Sequence, residues 1–144
     1  MHLTFDEPVL DEAVVCSVKA LYPDLSAFEI TAYSKREILA EKMRSLLQQQ
    51  KKWPRPRDLY DLWYILCKSG ECFSWKELKL LFDEKCRIRG VQPNIMGLTS
   101  DTLREWNEEA WLDRLGPMLK DVPDFDRLWK EWVKTFHGLV EDTK

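Results

Sequence analysis

The stretch SKREILAEKMRSLLQQQKKWPRPRDLYDLWYILCK, residues 34–68, decides most of the fold, because it predicts two helices and the turn between them. Ser34 followed three residues later by Glu37 is the capping-box pattern that begins a helix. This helix is predicted to run to about Gln50. On a helical wheel one half is apolar and contains Lys42, while the other half carries Glu37, Glu41, Arg44, Ser45 and Gln48.

A break and a second helix follow the first. Pro54 and Pro56 cannot lie in an ordinary helix interior, so residues 48–57 are predicted to connect two helices. The second helix starts near residues 57–58 and ends at about Lys68. It is apolar around most of its circumference, which predicts a position at the centre of the core.

The rest of the chain predicts a mainly helical protein. Alternating or helically spaced apolar residues between turn signals indicate short strands at 2–5 and 28–34, and helices at 11–22, 75–88, from 100 or 101 to about 116, and 125–140. Ser74 and Asp124 are the expected caps of the helices that follow them. The predicted fold class is mainly α (α+β), with five or six helices and two short N-terminal strands, in a single domain over residues 1–144.

Composition excludes several classes of protein. The net charge of −3 argues against a general polyanion-binding protein, so contact with nucleic acid would need a local basic patch. No apolar run reaches the roughly 20 residues that cross a bilayer, and no signal peptide is evident, so we expect a cytoplasmic protein without membrane contact. The spacing of the four cysteines does not favour a zinc site, and Cys16, Cys67 and Cys86 fit buried small hydrophobic residues.

Lys42 is unusual because it lies within an apolar helical stripe. One interpretation is that its aliphatic part packs on apolar neighbours while the ammonium reaches water. The other is that the ammonium is held near a site that binds negative charge, for which phosphate is the natural ligand.

Residues 51–57 contain four positive charges, Lys51, Lys52, Arg55 and Arg57, together with Trp53 and no acidic residue. This basic turn is either a solvated connection between helices or a surface that contacts phosphates and a base. Arginine binds phosphate oxygens through two N–H groups at once, and tryptophan can stack on a base.

Two carboxylates follow in the next helix. Asp58 either caps the helix and interacts with its dipole, or orients Lys42 or Arg55, or accepts a proton. Asp61 is expected to be structural, paired with Arg57 or with a neighbouring helix.

In combination these residues resemble the AbiEii/AbiGii abortive-infection toxin family, which are nucleotidyltransferase-like proteins of type IV toxin–antitoxin systems. Ala40-Glu41-Lys42, a spacer of 12 residues and Arg55-Pro56-Arg57-Asp58 match the family pattern of a lysine, a similar spacer and Arg-x-Lys-Asp, with Arg57 in place of the usual lysine. The resemblance is strong over residues 28–68 and looser over the rest of the chain. It implies that Lys42 and Asp58 are catalytic residues and that Lys42, Lys52, Trp53, Arg55 and Arg57 bind a nucleoside triphosphate.

The family also implies Mg²⁺, held by a Gly-Ser turn and an Asp-x-Asp pair upstream. This chain has no Gly-Ser pair, and its single Asp-x-Asp, Asp124-Phe125-Asp126, is more simply a helix cap. His2 lies near the place where a third acidic residue is expected. The chain therefore looks like the helical C-terminal portion of such a protein, without the catalytic half that precedes it.

Two functions remain open at this point. The first is a nucleotidyltransferase-like toxin portion that binds a nucleoside triphosphate, and also RNA, and is inactive alone. The second is a non-catalytic helical interaction module that binds an antitoxin or the missing catalytic half, since exposed strand edges favour strand addition. The resemblance alone does not establish whether the chain is itself an enzyme.

Overall fold

The computed structural model describes residues 14–18, 28–32 and 34–141. Two strands, β1 (Val14–Val18) and β2 (Phe28–Ala32), pair antiparallel with Cys16 opposite Ile30. Five α-helices follow: α1 (Lys35–Gln48), α2 (Pro56–Trp63), α3 (Trp75–Arg89), α4 (Asp101–Leu115) and α5 (Phe125–Glu141). The described part is therefore mainly helical, as the sequence predicted.

The two N-terminal strands are not supported as they were predicted. Residues 2–5 lie outside the described residues, and the strand that pairs with Phe28–Ala32 is Val14–Val18, inside the segment predicted to be the helix 11–22. The helix prediction was therefore wrong over Val14–Val18. The physical reason is that three of these five residues are valines, whose branched side chains favour strands, and helical spacing is ambiguous in so short a window.

The helix starts follow their caps in most places. The backbone N–H of Glu37 donates to Ser34 Oγ at 3.1 Å, and the N–H of Arg127 donates to Asp124 Oδ2 at 3.1 Å. Ser74 lies at the N-cap of α3, so its predicted position is confirmed. Its side chain makes no capping hydrogen bond, so the predicted interaction is wrong. The second helix, predicted to end at about Lys68, continues past Trp63 as a π-helical turn at Tyr64–Lys68. A 3₁₀ turn at Ile95–Thr99 was not predicted.

The core lies where α2 meets α1, α4 and α5, and where α1 packs along α3. Leu59, Leu62 and Trp63 of α2 are buried, which agrees with the predicted central position of this helix. Two buried indoles donate their N–H groups to oxygen atoms: Trp132 donates to the carbonyl of Leu98 at 3.0 Å, and Trp63 donates to Glu131 at 2.9 Å. Large side chains therefore fill the core without leaving these donors unpaired.

The side of α1 that the sequence marks as polar is also buried. Glu37 is completely inaccessible, and Glu41 and Arg44 are nearly so, because α3 packs along this helix. The Nζ of Lys85, from α3, lies 3.0 Å from Glu37 Oε1, and both side chains are fully buried. We call Glu37 and Lys85 the sealed pair. The wheel predicted two faces for α1, whereas this helix has neighbours on more than its apolar half.

Candidate functional site

Lys42 belongs to α1, and its ammonium group contacts both carboxylates of α2. Its Nζ is 3.2 Å from Asp58 Oδ1 and 2.8 Å from Asp61 Oδ2. The two aspartates can share one partner because residues at i and i+3 face the same side of a helix. We call these three residues the open cluster, since the side chains of Lys42, Asp58 and Asp61 are 23%, 17% and 43% exposed.

The electrostatics of the open cluster favour a charged lysine. Burial alone would lower the pKa of Lys42, but the hydrogen bond to Asp61 and the negative charges of Asp58 and Asp61 outweigh it, so this pKa lies above its ordinary value. Lys42 is therefore an ammonium across the physiological range. The sequence analysis left two interpretations of Lys42, an ammonium that reaches water and an ammonium held near a site that binds negative charge. Neither describes the structure alone, because the side chain is partly buried and its charge is paired with carboxylates.

The basic turn directly precedes the open cluster along the chain, since Arg57 is followed by Asp58 at the start of α2. Lys51, Lys52, Arg55 and Arg57 are exposed, and none of the four forms an ion pair with another described residue. A hydrogen bond of 2.8 Å from the N–H of Trp53 to the carbonyl of Gln50 closes the turn. The indole of Trp53 is 60% exposed, with the ammonium of Lys52 5.9 Å from its ring centroid.

The start of α2 is held by a residue that the sequence analysis did not single out. The backbone N–H of Arg55 donates to Gln49 Oε1 at 3.1 Å, and Asn107 Nδ2, from α4, donates to the same oxygen at 3.1 Å. Nothing in the run of three glutamines distinguishes Gln49 from Gln48 and Gln50. Asn107 did leave a signal, because it interrupts the apolar stripe formed by Leu103 and Trp111 at four-residue spacing.

The charges of the basic turn and the open cluster do not cancel. Five cationic side chains and two carboxylates leave an excess of three positive charges on this part of the surface. An ammonium has three N–H donors, of which two are directed to Asp58 and Asp61. The third remains for another acceptor. The arrangement is suited to bind an anion with several oxygens beside a fixed ammonium.

No group of three or more His, Cys, Asp or Glu side chains within the described residues lies close enough to hold a metal ion. Asp124 caps α5, and Asp126 binds Arg104 at 2.6 Å, so the structure supports the helix-cap interpretation of Asp124-Phe125-Asp126. Asp58 and Asp61 both contact Lys42, and a metal ion beside them would have to compete with this ammonium.

Comparison with known proteins decides the family. The family model described as nucleotidyl transferase AbiEii toxin, type IV toxin–antitoxin system, matches residues 2–133. The chain belongs to this family. The resemblance drawn from Lys42, Arg55 and Asp58 is therefore confirmed at the level of the family. No curated protein and no solved structure matches the chain.

The open cluster and the basic turn both lie within the residues that match this family model. The match covers both helices that carry them and extends into α5. It assigns no role to individual residues. The described helices also include none that is long and apolar enough to cross a membrane.

Proposed function

We propose that this member of the AbiEii family binds the phosphates of a nucleoside triphosphate through the open cluster and the basic turn. The observation that carries the proposal is the position of Lys42, a charged ammonium fixed by two aspartates beside four exposed basic side chains. A triphosphate carries several negative oxygens, and charge-assisted hydrogen bonds to such oxygens are about twice as strong as neutral ones.

Each residue has a distinct role in this proposal. Lys42 directs its third N–H to a phosphate oxygen, while Asp58 and Asp61 hold the ammonium in place. Arg55 and Arg57 bind further oxygens through their planar guanidinium groups. Trp53 offers an exposed ring on which the base can stack, next to Lys52. In this scheme Lys42 contacts the phosphates, and Asp58 and Asp61 are positioning residues that act through it.

The transfer reaction needs groups beyond those of the open cluster and the basic turn. Nucleotidyltransferases generally use a divalent metal, which neutralises charge on the transferring phosphate. We propose that the carboxylates that bind it belong to a separate segment or partner, and that the described helices, within residues 35–141, supply the helical wall of the cleft. The chain alone is then expected to bind a nucleoside triphosphate weakly and to transfer no nucleotide to an RNA acceptor.

Titration calorimetry tests the nucleotide proposal directly. ATP, CTP, GTP and UTP, each with Mg²⁺, are titrated into the wild-type protein and into Lys42→Met. We expect the variant to lose about tenfold or more in affinity, which is the loss expected for one charge-assisted hydrogen bond. Absence of binding by the wild-type protein to all four nucleotides would overturn the proposal, and so would equal affinity of the two proteins.

Lys79→Met is the matched control for this experiment. Lys79 of α3 also forms an ion pair with an aspartate, Asp83, at 2.5 Å, and it is at least as exposed as Lys42. It lies outside the basic turn and the open cluster. Its replacement removes one positive charge and one ion pair from the protein, and we expect nucleotide affinity to change less than about twofold.

An interaction module is the second candidate function. Membership in a type IV toxin–antitoxin family supports an antitoxin as partner. Large apolar side chains are exposed within the described residues, among them Leu112 and Met96, which are 71% and 72% accessible. Co-expression with an antitoxin encoded beside this gene tests the proposal. A stable complex from a protein that binds no nucleotide would favour this function over nucleotide binding.

A further inference from the structure

Two buried amides link the basic turn to α4. Gln49 is 8% exposed and Asn107 is completely buried. Gln49 Oε1 accepts from both the N–H of Arg55 and Asn107 Nδ2, and Asn107 Nδ2 also donates to the carbonyl of Leu103 at 2.7 Å. The backbone of the basic turn is thus connected through two side chains to a helix 58 residues from Gln49.

This arrangement is unfavourable for stability alone. Gln49 Nε2 and Asn107 Oδ1 are buried without a hydrogen-bond partner among the described residues. A buried polar atom without a partner costs free energy, and apolar side chains of the same shape are often as stable as a polar pair. Packing of α4 against the turn does not require amides at these positions, whereas holding the N–H of Arg55 does require an acceptor.

The hydrogen bond to Arg55 acts at the point where α2 begins. Arg55 is the N-cap residue of α2, and its own side chain makes no capping hydrogen bond. Gln49 therefore holds the last residue before the helix, three positions before Asp58. A shift of Arg55 would move the guanidinium groups of Arg55 and Arg57 relative to Lys42.

We propose that Gln49 and Asn107 are positioning residues that fix the basic turn in the conformation that binds a nucleoside triphosphate. This inference rests on the proposed function for the identity of the ligand. It assigns to both residues a role through Arg55, without contact with the nucleotide. Asn107 orients Gln49, and Gln49 holds the backbone of Arg55.

Asn107→Leu is the informative variant, because it keeps the size of the side chain and removes both the donor and the unpaired oxygen. We expect its free energy of unfolding to stay within about 1 kcal/mol of the wild-type value, because the variant loses one hydrogen bond to Gln49 and also loses an unpaired buried oxygen. Its affinity for ATP with Mg²⁺ should nevertheless fall about three- to tenfold, the range that one hydrogen bond supplies. Gln49→Met should show the same loss of affinity.

Trypsin cleavage after Lys51 and Lys52 reports the order of the turn without any nucleotide. Mass spectrometry of short digests should show cleavage at these bonds about threefold faster or more in Asn107→Leu, since the turn opens more easily. Ser100→Ala is the control for general destabilisation. It removes the Ser100 hydroxyl, which accepts a hydrogen bond from the N–H of Leu103 at the start of α4. We expect it to lower overall stability and leave both cleavage at the turn and ATP affinity unchanged.

The results separate the inference from the proposed function. If the wild-type protein binds ATP, and Asn107→Leu binds it equally and is cleaved at the wild-type rate, the positioning role is wrong while nucleotide binding stands. If the wild-type protein binds no nucleotide, the proposed function fails and the nucleotide-specific inference fails with it. Faster cleavage in the variant would then support only a structural tie between α4 and the turn.

Discussion

The sealed pair and the open cluster place two lysine–carboxylate contacts around one helix, α1. Glu37 and Lys42 are five residues apart, which turns them about 140° from each other around the helix axis. In the sealed pair Lys85 of α3 meets Glu37 where both side chains are fully buried. In the open cluster one lysine meets two carboxylates of α2 beside solvent.

The open cluster can bind a ligand, whereas the sealed pair cannot. Lys85 and Glu37 are fully buried, so no anion can reach their charges unless α1 and α3 separate. Lys42 is accessible, and it adjoins exposed cations that have no described ion-pair partner. The same pair of chemical groups therefore contributes to the core in one place and to a candidate site in the other. Exposure and neighbouring charge make the distinction.

Removing Lys85 is expected to give the largest effect. Lys85→Met leaves Glu37 buried without its partner from α3, and breaking a buried pair in this way costs about 3–5 kcal/mol. Urea unfolding followed by tryptophan fluorescence measures the change. The double variant Glu37→Leu/Lys85→Met should recover most of the loss, because it removes both charges. A cost below about 1 kcal/mol for Lys85→Met would show that the pair is not sealed from water.

The next largest effect is expected for the thiol reactivity of a buried and an exposed cysteine, Cys86 and Cys72. Burial raises the pKa of Cys86, next to Lys85, to about 11, and the nearby charge of Arg44 only partly opposes this. That pKa alone lowers the thiolate fraction at pH 8 about 100-fold relative to a free thiol. Cys72 is exposed.

A Cys16→Ser/Cys67→Ser protein isolates these two thiols for labelling with a disulfide reagent. We expect rapid labelling of Cys72, and labelling of Cys86 only in urea. Comparable rates for the two thiols in the native protein would contradict a dry interface between α1 and α3.

Removing Lys42 should affect stability far less than removing Lys85. The open cluster is partly exposed, so water and salt screen its charges, and we expect Lys42→Met to cost no more than about 1 kcal/mol in urea unfolding. The same variant is expected to lose nucleotide affinity. A cost similar to that of Lys85→Met would make Lys42 a structural residue and erase the distinction between the two lysines.

The smallest expected effect is the pH dependence of the open cluster. The pKa of Lys42 is raised in the folded protein. The contribution of Lys42 to the free energy of unfolding is therefore complete below the unfolded pKa of about 10.4, and it is lost as pH rises through the higher folded pKa. The stability difference between the wild-type protein and Lys42→Met should shrink above about pH 10.4, by less than about 1 kcal/mol.

Lys42→Arg is the control for this pH series, because arginine stays charged throughout it. Its stability relative to Lys42→Met should stay constant over the same pH range. A wild-type difference that also stays constant would show that Lys42 does not hold its proton through the two aspartates.

The candidate site was predictable to a large extent, because its main signals are local in sequence. Four cations within seven residues, two prolines and an aspartate at the start of a helix can be read without a structure. The family pattern added the connection to Lys42. The sequence did not show which ion-pair partner Asp61 has. Arg57 and a neighbouring helix were both possible, and in the structure Asp61 contacts Lys42 of α1.

The amides and the sealed pair were missed for a common reason. Glu37 fits a capping box, and its distance in sequence from Lys85 hides the contact between them. Gln49 lies in a uniform polar run, and its partner Asn107 belongs to a different helix. Periodicity shows which residues share a face, but it does not show how many neighbours that face will have.

The sequence by itself determined where most helices begin and end, that α2 is central, and that basic residues gather in one turn. These properties depend on side chains within a few residues of each other, through capping, helical spacing and proline geometry. The tertiary structure decided that the polar side of α1 is buried against α3, that Lys42 lies between two aspartates, and that α4 holds the turn. Those outcomes depend on contacts between residues 16 to 58 positions apart, which only the packing of helices brings together.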